Sequence, residues 1–178
     1  PYPRNGFYVK SFYETAQKNF GSDVGYTKLY NYYATTFTIN NVHTISNKFV
    51  IGFGDETLPL SQQFTLGGQN SFFGYRENEF RGRQIMLTSL EYRYFLPFKL
   101  FFDSYVKIRY DLGSIWSNKQ EIKFKDLKHG IGATVSLDTP IGPADFSVGR
   151  SFYFRQSNIK NILVTGEVFF YFNIGYVF

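Results

Sequence analysis

The sequence contains no cysteine, and this absence excludes disulfide bonds and thiolate metal sites. It also lacks any run that approaches the roughly 18 consecutive apolar residues of a membrane-spanning helix. The densest apolar patch, 168–172, is far shorter than that. A helical membrane protein is therefore excluded. A membrane barrel is not, because each of its strands needs only about 9–11 residues.

Signatures of catalysis and cofactor binding are missing as well. There is no G-x-S-x-G nucleophile elbow, so we assign no catalytic residue and expect no enzyme activity in this segment. Gly67-Gly68 is not followed by the lysine of a nucleotide-binding phosphate loop. His43 and His129 stand alone, without H-x-x-x-H spacing. We therefore predict no metal site and no cofactor, and a structural role for both histidines on apolar strand faces.

The charges are scattered rather than clustered. The 19 Lys and Arg residues exceed the 14 Asp and Glu residues, which gives a net charge of +5. Because no dense basic run occurs, we predict no nucleic-acid partner. A hydrated lumen and contacts with anionic lipid headgroups account for the basic residues instead.

Aromatic residues are abundant. Phe occurs 22 times and Tyr 15 times, yet the mean hydropathy is only −0.25. This combination is typical of strands with one apolar and one polar face. Period-two alternation between turn residues predicts about eight strands. The first three lie near 5–16, 24–39 and 41–54, and we expect Tyr26, Tyr30, Tyr32 and Tyr33 in an aromatic girdle at a membrane interface.

The later strands alternate more clearly, in 86–96, 100–113, 129–137 and 168–178. Each has an apolar face that fits lipid and a polar face that fits a water-filled lumen. The fold class predicted is all-β, a transmembrane antiparallel β-barrel. The charged residues expected to form an ion network in the lumen are Glu91, Arg93, Arg109 and Asp111. The apolar faces comprise Leu90, Tyr92, Tyr94 and Leu96; Leu100, Phe102, Val106, Ile108, Tyr110 and Leu112; Ile131, Ala133, Val135 and Leu137; and Val168, Phe170, Phe172, Ile174, Tyr176 and Phe178.

One connection, about 55–84, is much longer than the others and shows little alternation. A loop of that length in a compact domain is usually functional. It contains the pattern F-x-L-G-G-x-x-S-x-x-G-Y-R over 64–76, followed by R-G-R at 81–83. The motif residues singled out are Gly67, Gly68, Gly74, Tyr75, Arg76, Arg81 and Gly82.

This pattern resembles the signature of the outer-membrane barrel-assembly and two-partner-secretion superfamily, also called bacterial surface antigen proteins. Further stretches that resemble the family are S-L-E-Y-R at 89–93, R-Y-D-L-G at 109–113, G-I-G at 130–132, T-P-I-G-P at 139–143 and F-S-V-G at 146–149. The resemblance implies that the loop folds back into the lumen of a sixteen-stranded barrel with five strands after the loop. The 178 residues would then match the C-terminal half, one domain over 1–178, with the aromatic residues Phe172, Tyr176 and Phe178 as the C-terminal assembly signal.

The sequence departs from the family pattern at one position. The family places an arginine directly before the Gly-aromatic pair, where this chain has Phe73. Asp111 stands where the resemblance places the acidic partner of that arginine. We hypothesise that Arg76 or Arg81 substitutes as the partner of Asp111, because an Arg–Asp pair would anchor the loop by charge-assisted hydrogen bonds.

Among subfamilies, 66–73, 81–84 and 170–175 look most like barrels fused behind patatin-like phospholipase domains. The resemblance implies a bacterial outer-membrane module that anchors such a protein and passes or inserts lipid or polypeptide. The partners implied are outer-membrane lipid and lipopolysaccharide, the barrel-assembly machinery during biogenesis, and a second copy in a homodimer. The alternatives are a self-contained outer-membrane lipid hydrolase, an assembly or secretion pore without an enzyme domain, and a soluble aromatic-rich sandwich.

A half-barrel on its own would leave an unpaired strand edge in lipid, which is not viable. Three arrangements avoid this: further strands outside these 178 residues, pairing of two chains, or closure of the eight strands on themselves.

Overall fold

A computed structural model describes residues 2–17, 19, 21–99, 101–156 and 161–175. Within them, eight strands form one antiparallel sheet, and two short strands, β4 and β5, pair separately. No helix in this described part is long and apolar enough to cross a membrane. The strands are β1 (Gly6–Ala16), β2 (Tyr26–Ile39), β3 (His43–Gly54), β4 (Phe64–Leu66), β5 (Phe80–Gly82), β6 (Gln84–Phe95), β7 (Ser104–Trp116), β8 (Lys128–Thr139), β9 (Gly142–Gln156) and β10 (Asn161–Ile174).

The sheet order is β1-β2-β3-β6-β7-β8-β9-β10, so each strand pairs with its neighbour in the chain once β4 and β5 are set aside. The predicted eight strands, three before the long loop and five after it, are confirmed. In the described residues, β1 pairs only with β2 and β10 only with β9. The sheet is therefore open over the described residues, and closure of the eight strands on themselves, one of the three arrangements considered above, is wrong.

The two faces of the sheet differ as the alternation predicts. The outer face exposes apolar side chains such as Leu90, Ile108, Ile131 and Phe170. The inner face carries hydroxyl pairs that bond across neighbouring strands, among them Thr134 with Ser147, with their oxygens 2.7 Å apart. Because the side-chain period of a strand is two, a slip of one residue would exchange the faces, so this pattern specifies the register.

The connections also differ between the two ends of the sheet. The short connections, 40–42, 96–103 and 140–141, lie at one end, and the longer ones, 17–25, 55–83 and 117–127, lie at the other. At the short end, Asn40 and Asn41 have φ of 52° and 58°, and the Val42 N–H bonds to the Ile39 carbonyl at 3.1 Å. Two consecutive left-handed residues form the tight turn whose twist matches a hairpin. The asymmetry is typical of outer-membrane barrels.

Two strand boundaries differ from the prediction. β7 begins at Ser104 instead of residue 100, so Phe102 precedes the strand. The reason is Phe101, whose φ of 85° breaks the extended backbone. β10 begins at Asn161 instead of Val168. Its register shifts between Thr165 and Val168, and this bulge interrupts the alternation from which the strand was predicted.

The main apolar core lies between the inner face and the long loop, here called the lumen loop (residues 55–83). Its buried members are Val50, Phe64, Leu66, Phe72, Ile85 and Leu87. Tyr30 and Tyr32 pack against this cluster from β2. Their assignment to an interfacial girdle is therefore wrong, because side chains at even positions of β2 point to the inner face. Tyr33, at the next position, is exposed on the outer face.

Candidate functional site: the lumen loop and its seat on the barrel wall

The base of the lumen loop is fixed to the sheet by backbone hydrogen bonds. The Gly54 N–H donates to the Arg83 carbonyl at 2.7 Å, and the Arg83 N–H donates to the Trp116 carbonyl at 3.0 Å. The buried Gln84 amide also donates to the Gly54 carbonyl at 2.7 Å. Inside the loop, β4 and β5 pair from Phe64–Gly82 to Leu66–Phe80, a hairpin that the sequence did not reveal. The loop is therefore an ordered element rather than a flexible connection.

The glycine pair of the motif forms a tight turn. Gly67 and Gly68 have φ of 124° and 98°, values that favour glycine. A Cβ on Gly68 would stand 1.7 Å from a carboxylate oxygen of Glu77, and one on Gly67 would stand 2.3 Å from the Arg76 carbonyl. The Phe72 N–H donates to the Gly68 carbonyl at 2.9 Å and closes the turn. This turn directs 72–74 towards the sheet.

Phe73 occupies a slot made by glycines of β8 and β9. Its side chain is only 2% exposed. A Cβ added to Gly132 would lie 2.5 Å from the Phe73 ring, and one added to Gly149 would lie 2.7 Å from it. Gly130 borders the same slot, where a Cβ would be 2.7 Å from the Phe73 carbonyl oxygen. The G-I-G stretch and the F-S-V-G stretch therefore provide the space for the loop tip.

Asp111 holds this tip through its backbone. The fully buried carboxylate accepts the Phe73 N–H at 2.9 Å. Arg109, two residues away on the same strand face, donates from Nη2 to Oδ2 at 3.1 Å, and its Nε lies 3.0 Å from Oδ1. The Arg109 guanidinium carbon lies 3.9 Å from the centre of the Phe73 ring, which is close enough for a cation–π contact. Loop and wall thus meet in a three-residue contact of Arg109, Asp111 and Phe73.

The hypothesis that Arg76 or Arg81 pairs with Asp111 is wrong. Both arginine side chains are exposed. The Arg76 N–H donates to the Glu79 carboxylate at 2.7 Å, and Arg81 donates from Nη1 to the Leu60 carbonyl at 3.3 Å. The physical reason is that Asp111 is already paired within β7. The cation comes from the wall, and the loop contributes an aromatic ring and an N–H in place of a charge.

Tyr171 and Ser151 complete the seat, and both were missed by sequence reasoning. The Tyr171 hydroxyl accepts the N–H groups of Gly74 and Tyr75 at 2.9 and 3.1 Å and donates to the Tyr75 carbonyl at 2.8 Å. Ser151 donates to the Gly74 carbonyl at 3.0 Å. A Cβ on Gly74, whose φ is 82°, would stand 2.0 Å from the Ser151 backbone nitrogen. The inward position of Tyr171 in β10 was the available signal, but its partner lies almost a hundred residues away.

The remaining predicted ion-network residues lie elsewhere. Lys107 pairs with Asp145 of β9, with Nζ 3.1 Å from Oδ2, and Tyr2 donates to Asp145 Oδ1 at 2.9 Å. Arg93 donates to the Pro3 carbonyl at 2.7 Å. Burial raises the pKa of the Tyr2 hydroxyl. Within the described residues Glu91 forms no ion pair, although it stands opposite Arg109 in the β6–β7 register. The single expected network is therefore two separate clusters, and Asp145 is the member that sequence reasoning missed.

The other predicted residues are on the outer face, in β5 of the lumen loop, or beyond the described part. His43 and His129 hydrogen-bond through Nδ1 to the hydroxyls of Tyr92 and Tyr110, at 2.7 and 2.5 Å. Phe172 of the predicted assembly signal is exposed on the outer face, 4.8 Å from the Phe146 ring centre. Tyr176 and Phe178 lie outside the described residues. Gly82 lies in β5, where a Cβ would stand 2.5 Å from the Trp116 carbonyl.

Comparison with curated proteins found no significant match. Comparison with protein families found one that accounts for the whole sequence. The family model described as the Omp85 superfamily domain matches residues 1–178. This match agrees with the resemblance carried by the loop motif, and with a meander of antiparallel strands whose loop is seated on the inner face. The chain belongs to the Omp85 superfamily.

Proposed function

We propose that this chain forms half of an outer-membrane barrel wall whose lumen is narrowed by the seated loop, and that it anchors a lipid-hydrolysing protein in the membrane. The observation that carries the proposal is the contrast between the two faces of one sheet. The outer face exposes apolar and aromatic side chains, as lipid contact requires, while the inner face is polar and carries the loop. Lipid and lipopolysaccharide would contact the outer face.

A passage role is supported by the way the loop is held. Its tip is attached through hydrogen bonds to Asp111, Ser151 and Tyr171 and through the ring of Phe73, with no covalent link. Such non-covalent contacts hold the loop in a resting position, and they can break and be replaced by contacts with a cargo that enters the lumen. Cargo passing through this lumen would be lipid or polypeptide.

Ion conductance of the full-length protein in planar lipid bilayers tests the barrel and its loop together. Replacing 57–81 by a short Gly-Ser linker should raise the single-channel conductance, because the loop occupies lumen space. A matched control shortens another of the longer connections by replacing 119–126, which keeps Asn118 and its hydrogen bond from Arg83 at the base of the loop. Equal conductance of wild type and loop variant would contradict a lumen-narrowing role, and the absence of any channel would contradict the barrel.

The hydrolytic activity is assigned to a domain outside this segment, of the patatin type. Two observations support this assignment. The sequences of 66–73, 81–84 and 170–175 resemble those of barrels fused to patatin-like domains, and these 178 residues contain no G-x-S-x-G elbow. Phospholipase assays should show activity in the full-length protein and none in the purified segment. Activity in the segment would favour a self-contained lipid hydrolase. A full-length protein without hydrolase activity or an upstream G-x-S-x-G motif would favour an assembly or secretion pore.

The open edges of the sheet bear on assembly. β1 and β10 present unpaired backbone groups that lipid cannot satisfy, so further strands must cover them. We assign this role to strands of the same protein and rank a homodimer second. The barrel-assembly machinery would act on these edges during insertion. Crosslinking within intact outer membranes distinguishes the two arrangements, because only the homodimer doubles the mass of the crosslinked product.

A further inference from the structure

A cavity of about 360 Å³ lies between the wall and the lumen loop, away from the seat of Phe73. Its volume is within the range typical of small-molecule sites. Strands β2, β3 and β6 form one side, and the loop forms the other. The lining residues that the argument uses are the two lysines Lys28 and Lys48 and the aromatic rings of Tyr30, Tyr32 and Phe64.

Both lysines direct their ammonium groups at loop carbonyls rather than carboxylates. Lys28 donates to the Gln62 carbonyl at 2.7 Å, and Lys48 donates to the Asn70 carbonyl at 3.0 Å. Among the residues that the structure describes, neither Nζ lies within 4.0 Å of an acidic oxygen. An ammonium group has three N–H donors, so both lysines retain donors that a ligand can use.

Three acidic residues are near the lysines: Glu91 lies more than 4.0 Å from the Lys48 ammonium, and the other two have partners of their own. Glu14 stands opposite Lys28 in the β1–β2 register, but it accepts a hydrogen bond from the Tyr26 hydroxyl. Asp111 is held by Arg109. The cavity therefore contains two positive charges whose local neutralisation is incomplete. A partly enclosed cavity with two such ammonium groups favours an anionic ligand, and a lysine ammonium binds phosphate as a point charge.

The remaining lining is part polar, with Gln63, Thr65, Asn70 and Ser71, and part aromatic, and the aromatic part narrows the choice of anion. The rings of Tyr30 and Tyr32 are half-buried, and the Phe64 ring centre lies 4.8 Å from the Lys28 ammonium. A free phosphate would leave the ring surfaces unused, whereas an amphiphile would place its phosphate on the lysines and its first methylene groups on Tyr30 and Tyr32. From this arrangement we infer that the cavity binds the headgroup end of a phosphate-bearing lipid.

This inference rests on the proposed lipid-handling function and identifies where in the lumen such a lipid is held. Because Lys28 and Lys48 also hold the loop, an occupant of the cavity touches both partners of the loop–wall contact. Loop position and lipid occupancy are thereby linked, since a phosphate competes with the carbonyls of Gln62 and Asn70 for the same ammonium groups.

Native mass spectrometry of the full-length protein in a neutral detergent tests the site. The probes are lysophosphatidylglycerol, a neutral monoacylglycerol of the same chain length, inorganic phosphate and an oligoglutamate peptide. Lysophosphatidylglycerol should bind at least about tenfold more tightly than the other three, because it alone satisfies both halves of the cavity. Equal binding of inorganic phosphate would overturn the lipid assignment, and tighter binding of oligoglutamate would identify a peptide site instead.

Two variants locate the binding. Lys28→Gln and Lys48→Gln should each weaken lysophosphatidylglycerol binding by about tenfold, the loss expected for a charge-assisted hydrogen bond. Lys10→Gln, an exposed lysine of β1 outside the cavity, removes the same charge and should leave binding unchanged. Asn70→Trp, at an exposed position on the cavity wall, should block the lipid while keeping both lysines.

Unchanged binding in both lysine variants and in Asn70→Trp would overturn the inference. Circular dichroism verifies that each variant keeps its sheet. Because binding is measured without any flux, a variant protein that still conducts in bilayers but no longer binds lipid separates this site from the proposed passage function. A wild-type protein that conducts normally but binds no lysophosphatidylglycerol would contradict the site alone.

Discussion

At the scale of single residues, the contact of Arg109, Asp111 and Phe73 decides how the loop is held. The carboxylate of Asp111 is fully buried, and its Oδ2 accepts hydrogen bonds from the Arg109 guanidinium and the Phe73 N–H. Removing one partner of a buried ion pair is strongly destabilising, by about 3–5 kcal/mol, because the other charge remains buried without compensation. The seat is therefore sensitive to the charge of residue 111 and tolerant of changes at the exposed Arg76 and Arg81.

Asp111→Asn should loosen the loop tip, because it leaves Arg109 without its carboxylate while keeping an acceptor for the Phe73 N–H. We expect limited proteolysis within 69–79 to become clearly faster in the full-length protein. Asp126→Asn, at an exposed position in the 117–127 connection, makes the same charge change and should not alter the rate. Equal cleavage of wild type and Asp111→Asn would show that the ion pair does not hold the loop.

Gly132→Ala tests the slot under Phe73. The added Cβ would stand 2.5 Å from the ring, so the ring or the strand must shift, at a cost of about 1–3 kcal/mol. Gly25→Ala is the matched control, since its Cβ would meet only the Ala16 carbonyl at 3.6 Å. The thermal midpoint should fall for Gly132→Ala alone. Combining it with Phe73→Leu should recover part of the loss, and purely additive effects would argue against a shared slot.

The residue scale also shows where sequence reasoning reaches and where it stops. Arg109 and Asp111 were correctly placed on one face of one strand, since alternation fixes which side chains share a face. Alternation says nothing of contacts between elements. The resemblance placed Asp111 opposite the loop position that Phe73 occupies, and the separate hypothesis that Arg76 or Arg81 pairs with Asp111 was wrong. Tyr171 and Ser151 were missed because their partners, Gly74 and Tyr75, are far away in sequence.

At the scale of elements, each strand separates two environments. The strands were predictable because apolar and polar residues alternate, but the boundaries failed where that alternation is interrupted. In β10 the bulge between Thr165 and Val168 concealed the first half of the strand. In β2, Tyr30 and Tyr32 point inward and Tyr33 points outward. Because all three residues are tyrosines, residue type alone does not show which face each ring occupies.

Substitutions in β10 should depend on the face that they affect. Phe170 is 82% exposed on the outer face, so Phe170→Arg should destabilise the inserted protein by about 2–4 kcal/mol if the position is near the midplane of the bilayer. Asn173→Arg is the matched control on the inner face, where Asp145 stands directly opposite. Free energies of unfolding from lipid vesicles measure both. A similar loss in the two variants would contradict the assignment of faces.

At the scale of the whole molecule, the sheet is a wall with two free edges. Every strand from β1 to β10 in the sheet order pairs with its neighbour. In the described residues, β1 and β10 each have one edge without a partner strand. Resemblance anticipated this, because it implied a sixteen-stranded barrel and the eight strands found here supply half. Alternation within these strands does not predict which strands pair with the free edges of β1 and β10.

Amide hydrogen exchange should report the free edges. In the purified segment held in detergent, edge-facing amides of β1 and β10 should exchange much faster than those of β6 and β7, which pair on both sides. In the full-length protein, the same amides should become protected by neighbouring strands. Strong protection of both edges in a monomeric segment would contradict the open sheet.

The seating of Phe73 has a consequence for ionic strength. When a loop arginine pairs with a wall carboxylate, unseating the loop separates two opposite charges, and two unit charges 4 Å apart attract by about 4 kcal/mol at an effective dielectric constant of 20. Here Arg109 and Asp111 stay together in β7 whether the loop is seated or not. The loop tip, 72–74, leaves the wall as uncharged residues, so breaking this contact separates no pair of opposite charges, and added salt should weaken it less than it would weaken an Arg–Asp pair between loop and wall.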